Sequence, residues 1–258
     1  MSIALYRTFR RTLKATSFTG RIMPYDWTDL PNPLSAQWMA YSMMLDEFAR
    51  ELANVINVFS NNVHRLKAWF AVIEPLSNKK KMEATHEFID TLATNALNLP
   101  YAVKGRFGFA AAHLCHQANM LKESGTWIDN LPFDGDIYPH VGDQYGKPWK
   151  SYKKLKRALD VIDNRAFQKA TGDFRNAYNH RFSPRFVVGM TQLVRRIVDE
   201  ETGRVCYGFG GHDALNLAEI AALLESEQSH IYQAFSAFQE LVREHEAAIR
   251  RQAELLNP

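Results

Sequence analysis

An apolar stripe through residues 38–59 constrains the fold of this chain more than any other feature. Its members recur at steps of three and four residues, which places them along one face of an α-helix. Ser35 precedes the stripe and is a suitable N-cap. A helix with so continuous an apolar face must bury it against other helices, so the stripe predicts a helical bundle. Its members are Trp38, Tyr41, Leu45, Phe48, Leu52, Val55 and Phe59.

Four further segments carry the same helical period. Pro100 and Gly125 are expected to end the first two of them, and Pro184 the third. Asp213 is expected to be the N-cap of the last. The segments are residues 79–98, 102–123, 151–181 and 214–255.

Two stretches break the helical pattern. Residues 125–150 mix glycines and prolines with aromatic residues, which predicts a long ordered loop. Residues 186–209 are rich in β-branched and aromatic residues on either side of Asp199–Gly203, a pattern that predicts a β-hairpin. We expect an all-α fold of four to five helices, with this small hairpin inserted before the long C-terminal helix.

The chain has 258 residues, of which 46% are hydrophobic, enough for a sizeable core. We divide it into a basic, irregular N-terminal arm (residues 1–34) and one helical domain (residues 35–258). The arm carries five Lys and Arg before its first acid, Asp26. A basic segment of this kind can be the solvated face of a short element, an arm that binds phosphates, or a mitochondrial transit peptide. Without a membrane-length apolar run, and with two distant cysteines, the chain is expected to be cytoplasmic.

The residues that suggest chemistry lie near the end of the fourth predicted helix. Arg175 and His180 are five positions apart, about 140° around a helix axis. They can meet on one ligand only over the helix end, or if a second subunit contributes. A guanidinium, a titratable imidazole and the amide of Asn176 suit a phosphodiester, because Arg binds phosphate through two donors and His transfers a proton.

The segment Arg175-Asn176-Ala177-Tyr178-Asn179-His180 resembles the Arg-x(4–6)-His signature of HEPN domains, with a polar residue after the Arg. The motif also lies before a loop and a long last helix, as in that family. The resemblance implies a HEPN-like bundle that cleaves RNA without a metal or cofactor, usually as a homodimer. It assigns Arg175, His180 and Asn176 to catalysis.

The resemblance also implies a toxin–antitoxin or phage-defence setting, with an antitoxin or defence protein as a further partner. One position departs from the family pattern. Members regulated by nucleotide addition carry Tyr two residues after the His, whereas this chain has Phe182. A second Arg and His pair, Arg106 and His113, fits the loose spacing, but Phe107 follows the Arg and the pair lies within a helix.

Two alternative functions remain open from the residues. The chain could be a non-catalytic interaction protein, since its long first and last helices suit partner binding. It could also be a di-iron carboxylate oxidoreductase, because Glu83-x-x-His86 and Glu227-x-x-His230 have the required spacing. Such a centre needs an inward Glu on each of two other helices, and the third predicted helix offers no acid between Val103 and Lys122. We therefore expect no metal site.

Overall fold

A computed structural model describes residues 2–123 and 125–256 of the chain. Met1, Ser124 and the last two residues of the predicted helical domain, Asn257 and Pro258, lie outside the described residues. The described chain is mainly helical, with short 3-10 turns between some of the helices. The α-helices are α1 (Ser2–Ala15), α2 (Met39–Ile73), α3 (Asn78–Ala84), α4 (Asp90–Ala118), α5 (Pro139–Gly146), α6 (Tyr152–Asp160), α7 (Arg165–Ala170), α8 (Phe174–His180) and α9 (Leu217–Leu256).

The predicted hairpin is present immediately before the last helix. Strand β2 (Val194–Val198) pairs antiparallel with β3 (Val205–Phe209), and Gly203 in the connecting turn has φ +65°, which glycine adopts without strain. A second short pair, β1 (Met190–Thr191) with β4 (His212–Asp213), lies next to the hairpin in sequence. The expectation of a mainly helical fold with a small hairpin before a long C-terminal helix is confirmed.

The chain groups into two compact units. Unit 1 comprises residues 1–20, 61–98 and 165–226, and unit 2 comprises residues 21–60, 99–164 and 227–258. The helices α2, α4 and α9 each contribute residues to both units. The expected division at residue 34 is not a boundary of either unit.

The core of unit 1 includes a stack of three aromatic rings. The Phe9 ring lies 4.2 Å from the Trp69 ring and almost parallel to it, and the Phe88 ring stacks on Trp69 at 4.9 Å. Phe9 belongs to α1, so α1 is anchored in this unit by burial of that side chain. The expectation of an irregular N-terminal arm is therefore wrong for residues 2–15, which form a helix.

The core of unit 2 contains a buried polar cluster. His245 is fully buried, and its Nδ1 shares a hydrogen bond of 2.9 Å with the Tyr41 hydroxyl. The Trp149 ring lies 4.2 Å from the imidazole, and the Cys115 Sγ lies 3.8 Å from its Nε2. Burial raises the pKa of the Cys115 thiol and lowers the pKa of His245 to about 3. The imidazole is therefore neutral in the folded protein.

Pro100 does not end a helix, contrary to expectation. It lies inside α4, which continues α3 through a single π-helical turn at Thr85–Ile89, so residues 78–118 are helical throughout. A proline removes one backbone donor from a helix. The helix continues because Leu97 and Val103 on either side of the proline are both buried, and their burial offsets that loss.

The predicted fourth helix, residues 151–181, is instead three short helices, α6, α7 and α8. Asp163, Gly172 and Asp173 have φ of +50°, +63° and +54°, and left-handed residues cannot continue a right-handed helix. The first break is held by a distant residue, because the Asp163 N–H donates to Glu227 Oε2 at 2.9 Å. The hydrophobic period of the segment survives because each short helix buries its own apolar residues.

Two smaller expectations are corrected or refined. The loop of residues 125–150 contains α5 and a 3-10 turn at Asp134–Asp136, so it is ordered but not free of helix. The last helix begins at Leu217 rather than near Asp213, with Asn216 Oδ1 accepting the Ala218 N–H at 2.8 Å. Among the described residues, none of the helices has the length and apolar content that crossing a bilayer requires.

The buried imidazole of His245 predicts a loss of stability in mild acid. The pKa of His245 lies far below the value of about 6.5 for an unfolded histidine, so only the unfolded chain binds the proton as pH falls below that value. We expect the free energy of unfolding to fall by about 1.4 kcal/mol per pH unit between about pH 6 and pH 4 from this group. Denaturant unfolding of wild type and His245→Gln across this range measures the slope.

In His245→Gln the pH dependence should be shallower, because the amide can bond Tyr41 but does not titrate. His140→Gln is the matched control, since His140 is an exposed histidine of the same unit and its replacement should leave the wild-type slope in place. Equal slopes for wild type and His245→Gln would contradict the assignment.

Candidate active site

The motif helix α8 begins at an unusual backbone conformation. Helix α7 ends at Ala170. Shortly after it, Gly172 and Asp173 both have a left-handed backbone conformation. Gly has no Cβ to oppose a positive φ, and Asp is among the residues that tolerate it. The turn is closed by the Asp173 N–H, which donates to the Gln168 carbonyl at 2.6 Å. The chain therefore changes direction immediately before Phe174.

The Asp173 carboxylate joins the two ends of α8. Its Oδ2 accepts a hydrogen bond from Asn176 Nδ2 at 2.8 Å and forms an ion pair with Arg181 at 2.7 Å. Arg181 directly follows the last residue of the helix, and its N–H donates to the Ala177 carbonyl. Asp173 thus holds both termini of a seven-residue helix that is too short to be stable alone.

One apolar side chain anchors α8 in unit 1. Phe174 is buried, and its ring packs on Tyr178 at 5.7 Å and on Phe186 at 5.5 Å. Phe186 belongs to the segment that leads into the hairpin, and it forms a bridge with Leu215 just before α9. The segment before the hairpin therefore contacts the motif helix.

The structure places the three predicted site residues on α8. Arg175 is half-buried, whereas Asn176 and His180 are exposed. His180 is the last residue of the helix, and the Asn179 side chain donates to the Arg175 carbonyl at 2.8 Å. Arg175 and His180 remain about 140° apart around the helix axis. The hydrogen bond from Asn176 to Asp173 orients the Asn176 side chain, and the sequence did not predict this contact.

A cleft of about 520 Å³ lies in the same unit and shares Phe186 with the packing of α8. Its polar lining comes from the end of α3, the π-helical turn and the start of α4 on one side and from Arg185 on the other. His86 Nδ1 lies 3.8 Å from Asp90 Oδ2. Burial raises the pKa of Asp90, and His86 and Arg185 partly oppose that shift.

The backbone around this cleft is irregular on both sides. The Thr85 hydroxyl in the π-helical turn is buried and has no hydrogen-bond partner among the described residues. A π-helical turn inside an α-helix is rare and frequently occurs at functional sites. On the opposite side, Val187 has φ +65°, a strained conformation for a β-branched residue. The spacing of Glu83, His86 and Asp90 along one helix face is the sequence signal of this cleft.

The residues of the two rejected sites have structural roles. Arg106 pairs with Glu51, and His113 Nε2 lies 3.3 Å from Asp134. Buried Glu227 accepts the Asp163 N–H and pairs with His230 at 3.3 Å. Among the residues that the structure describes, no three His, Cys, Asp or Glu gather as a metal site would require. The di-iron alternative has no support from these contacts.

The charge of the chain is unevenly divided between the two units. Unit 1 carries 17 Lys and Arg against 11 Asp and Glu, whereas unit 2 carries 14 against 17. The net charge of +3 for the whole chain therefore understates the positive charge of the unit that contains α8. A local excess of this sign attracts polyanions.

Comparison with known proteins gives no family. No family model matches the chain, and no solved structure matches it. The chain is similar to a probable mitochondrial alanine aminotransferase from Dictyostelium discoideum, with 22% identity over 183 residues. That match covers 65% of this chain and only 32% of the aminotransferase. At this identity and coverage it assigns neither a family nor an activity.

The contacts of Asp173 predict that its carboxylate orders α8. In Asp173→Ala, loss of the bonds to Asn176 and Arg181 should increase amide hydrogen exchange at residues 175–181 severalfold. Global stability should fall by about 1 to 2 kcal/mol, because the half-exposed pair contributes little and alanine tolerates the positive φ of residue 173 less well than aspartate. The control is Lys169→Ala, which removes a charge on α7 and leaves the carboxylate in place. Unchanged exchange in α8 of Asp173→Ala would show that Phe174 alone orders the helix.

Proposed function

We propose that this protein is a metal-independent endoribonuclease of the HEPN type, with Arg175 and His180 as catalytic residues and Asn176 beside them. The observation that supports the proposal is the position of these three residues together on α8. His180 is exposed at the end of a helix that Asp173 and Phe174 hold in place. The positive charge of unit 1 supports a polyanionic substrate.

The proposed reaction is attack of a ribose 2′-hydroxyl on the adjacent phosphorus. His180 transfers the proton, taking it from the 2′-oxygen or giving it to the departing 5′-oxygen. The new O2′–P bond forms as the P–O5′ bond breaks, which leaves a 2′,3′-cyclic phosphate and a 5′-hydroxyl. Arg175 stabilises the charge that builds on the phosphorane oxygens, because its planar guanidinium donates two parallel hydrogen bonds.

The positions of Arg175 and His180 on one short helix favour a homodimer. Two groups about 140° apart around a helix axis reach a common phosphate most easily when a second α8 completes the site. The resemblance of residues 175–180 to the HEPN signature also supports a toxin–antitoxin or phage-defence setting with a partner protein. The two distant cysteines support a cytoplasmic location. The competing function is a non-catalytic interaction protein, which the exposed apolar face of the hairpin would suit.

Cleavage should depend on both catalytic residues and survive a chelator. Purified protein is incubated with total RNA in excess EDTA, and the product ends are identified by phosphatase and kinase treatment. We expect His180→Ala and Arg175→Ala each to lower the cleavage rate by about 10²-fold or more. His212→Ala is the matched control, because His212 is another exposed histidine of unit 1. No cleavage by wild type, or equal cleavage by His180→Ala, would favour the interaction protein.

Mixing the two inactive variants tests the shared site. If each site takes Arg175 from one subunit and His180 from the other, a heterodimer of Arg175→Ala and His180→Ala keeps one intact site. Random assortment would then restore about a quarter of the wild-type activity. Either variant mixed with itself is the control. No recovery, with subunit exchange confirmed by differently tagged copies, would place a complete site in each chain.

A further inference from the structure

The β2–β3 hairpin has one face that is exposed along its whole length. The antiparallel register puts Val194 opposite Phe209, Arg196 opposite Tyr207, and Val198 opposite Val205, with all six side chains on the same face. Tyr207 is 73% exposed and Phe209 is 93% exposed. Large aromatic side chains at such exposure are unusual on a folded surface and mark an interaction site when they are grouped. We call this the aromatic face.

The opposite face of the hairpin is less accessible than the aromatic face. Its side chains are half-buried, and the Ile197 side chain lies over Gly208 so closely that no Cβ could fit there. Cys206 lies opposite Ile197 on this face. The hairpin therefore has a packed side and an open side, and the two aromatic rings lie on the open side.

The chemistry of the aromatic face fits single-stranded nucleic acid. Tyr207 and Phe209 are two residues apart on one strand, so their side chains emerge about 7 Å apart, the spacing of two bases in an extended, unstacked strand. The Arg196 guanidinium lies 4.6 Å from the centre of the Tyr207 ring, which adds a positive charge and a second stacking surface. The acids of the hairpin, Asp199 to Glu201, are confined to the turn.

A second copy of the chain is a poorer fit for this surface. Strands of five residues are about 17 Å long, and two of them present a face of under about 200 Å², whereas a stable dimer buries about 800 Å² on each partner. A base covers an area closer to that of one aromatic ring. The excess of Lys and Arg in unit 1 also complements the phosphates of a nucleic-acid strand.

We propose that the aromatic face of the hairpin binds single-stranded RNA by stacking two successive bases on Phe209 and on the Tyr207–Arg196 pair. This proposal deepens the proposed function, because it names the surface that holds the substrate strand while α8 acts on it. Stacking on aromatic rings is tolerant of sequence, so the surface would select for single strands rather than for a base.

Binding is measured with a fluorescein-labelled twelve-nucleotide oligouridylate in EDTA, on the full chain carrying His180→Ala so that the probe is not cut. Adding Tyr207→Ala and Phe209→Ala together should weaken binding by about 30-fold or more, since each stacked base is worth about 5- to 150-fold. Tyr207→Phe with Phe209→Tyr keeps both rings and should bind within about twofold. Phe133→Ala removes an aromatic residue of unit 2 that is 89% exposed, and should have no effect.

Salt dependence separates stacking from charge. The double alanine variant should keep the wild-type dependence of log Kd on log salt. Arg196→Gln should lower that slope by up to about 0.7, because it removes one positive charge beside the bound strand. A twelve-base-pair duplex should compete at least tenfold less well than the single strand. Circular dichroism and melting of each variant show whether the fold is kept.

The outcomes distinguish this proposal from the proposed function. If the double alanine variant keeps its fold and binds the probe within twofold of the parent, the proposed RNA-binding surface is wrong. That conclusion holds even if the wild type cleaves RNA through His180. Light scattering could instead show that the double substitution dissociates dimers and that RNA binding falls in proportion. The aromatic face would then bind a second copy of the chain, which would also overturn the RNA-binding proposal. If the aromatic face binds the probe but wild type cleaves no RNA, the surface stands and the ribonuclease fails.

Discussion

The candidate site depends on the left-handed backbone at Asp173. A helix that continued from α7 through this residue would carry Phe174 on in a different direction and separate it from Phe186. With the break, α8 is a separate short helix whose two ends meet at one carboxylate. The strain of a positive φ at a non-glycine residue is offset by three contacts, the Gln168 carbonyl, Asn176 and Arg181.

The helical character of the chain could be predicted from its sequence because it depends on a repeating pattern. The stripe from Trp38 to Phe59 and the glycine of the hairpin turn are local signals, and both correspond to the structure. The errors occur where a distant contact decides the backbone. The break at Asp163 is held by Glu227, a residue 64 positions away, and no local window contains that information.

The proline error has the opposite cause. Pro100 is a strong local signal for a helix end, yet burial of the residues around it outweighs the lost hydrogen bond. The candidate site, likewise, could be predicted from the sequence only in part. Arg175, Asn176 and His180 could be named from spacing, but the bond of Asn176 to Asp173 depends on the left-handed backbone before α8. The cleft of His86, Asp90 and Arg185 joins segments about a hundred residues apart in sequence.

The two cysteines have very different surroundings, so a thiol reagent can distinguish the hairpin from the core. Cys115 is fully buried, and its thiol pKa is raised, so it holds little of the thiolate that reacts with alkylating reagents. Cys206 is partly accessible on β3, between Val205 and Tyr207. A maleimide dye added to the native protein would therefore label the hairpin in preference to the core. The natural sequence thus carries a reporter position beside the aromatic face, and no engineered cysteine is needed to follow that strand by fluorescence.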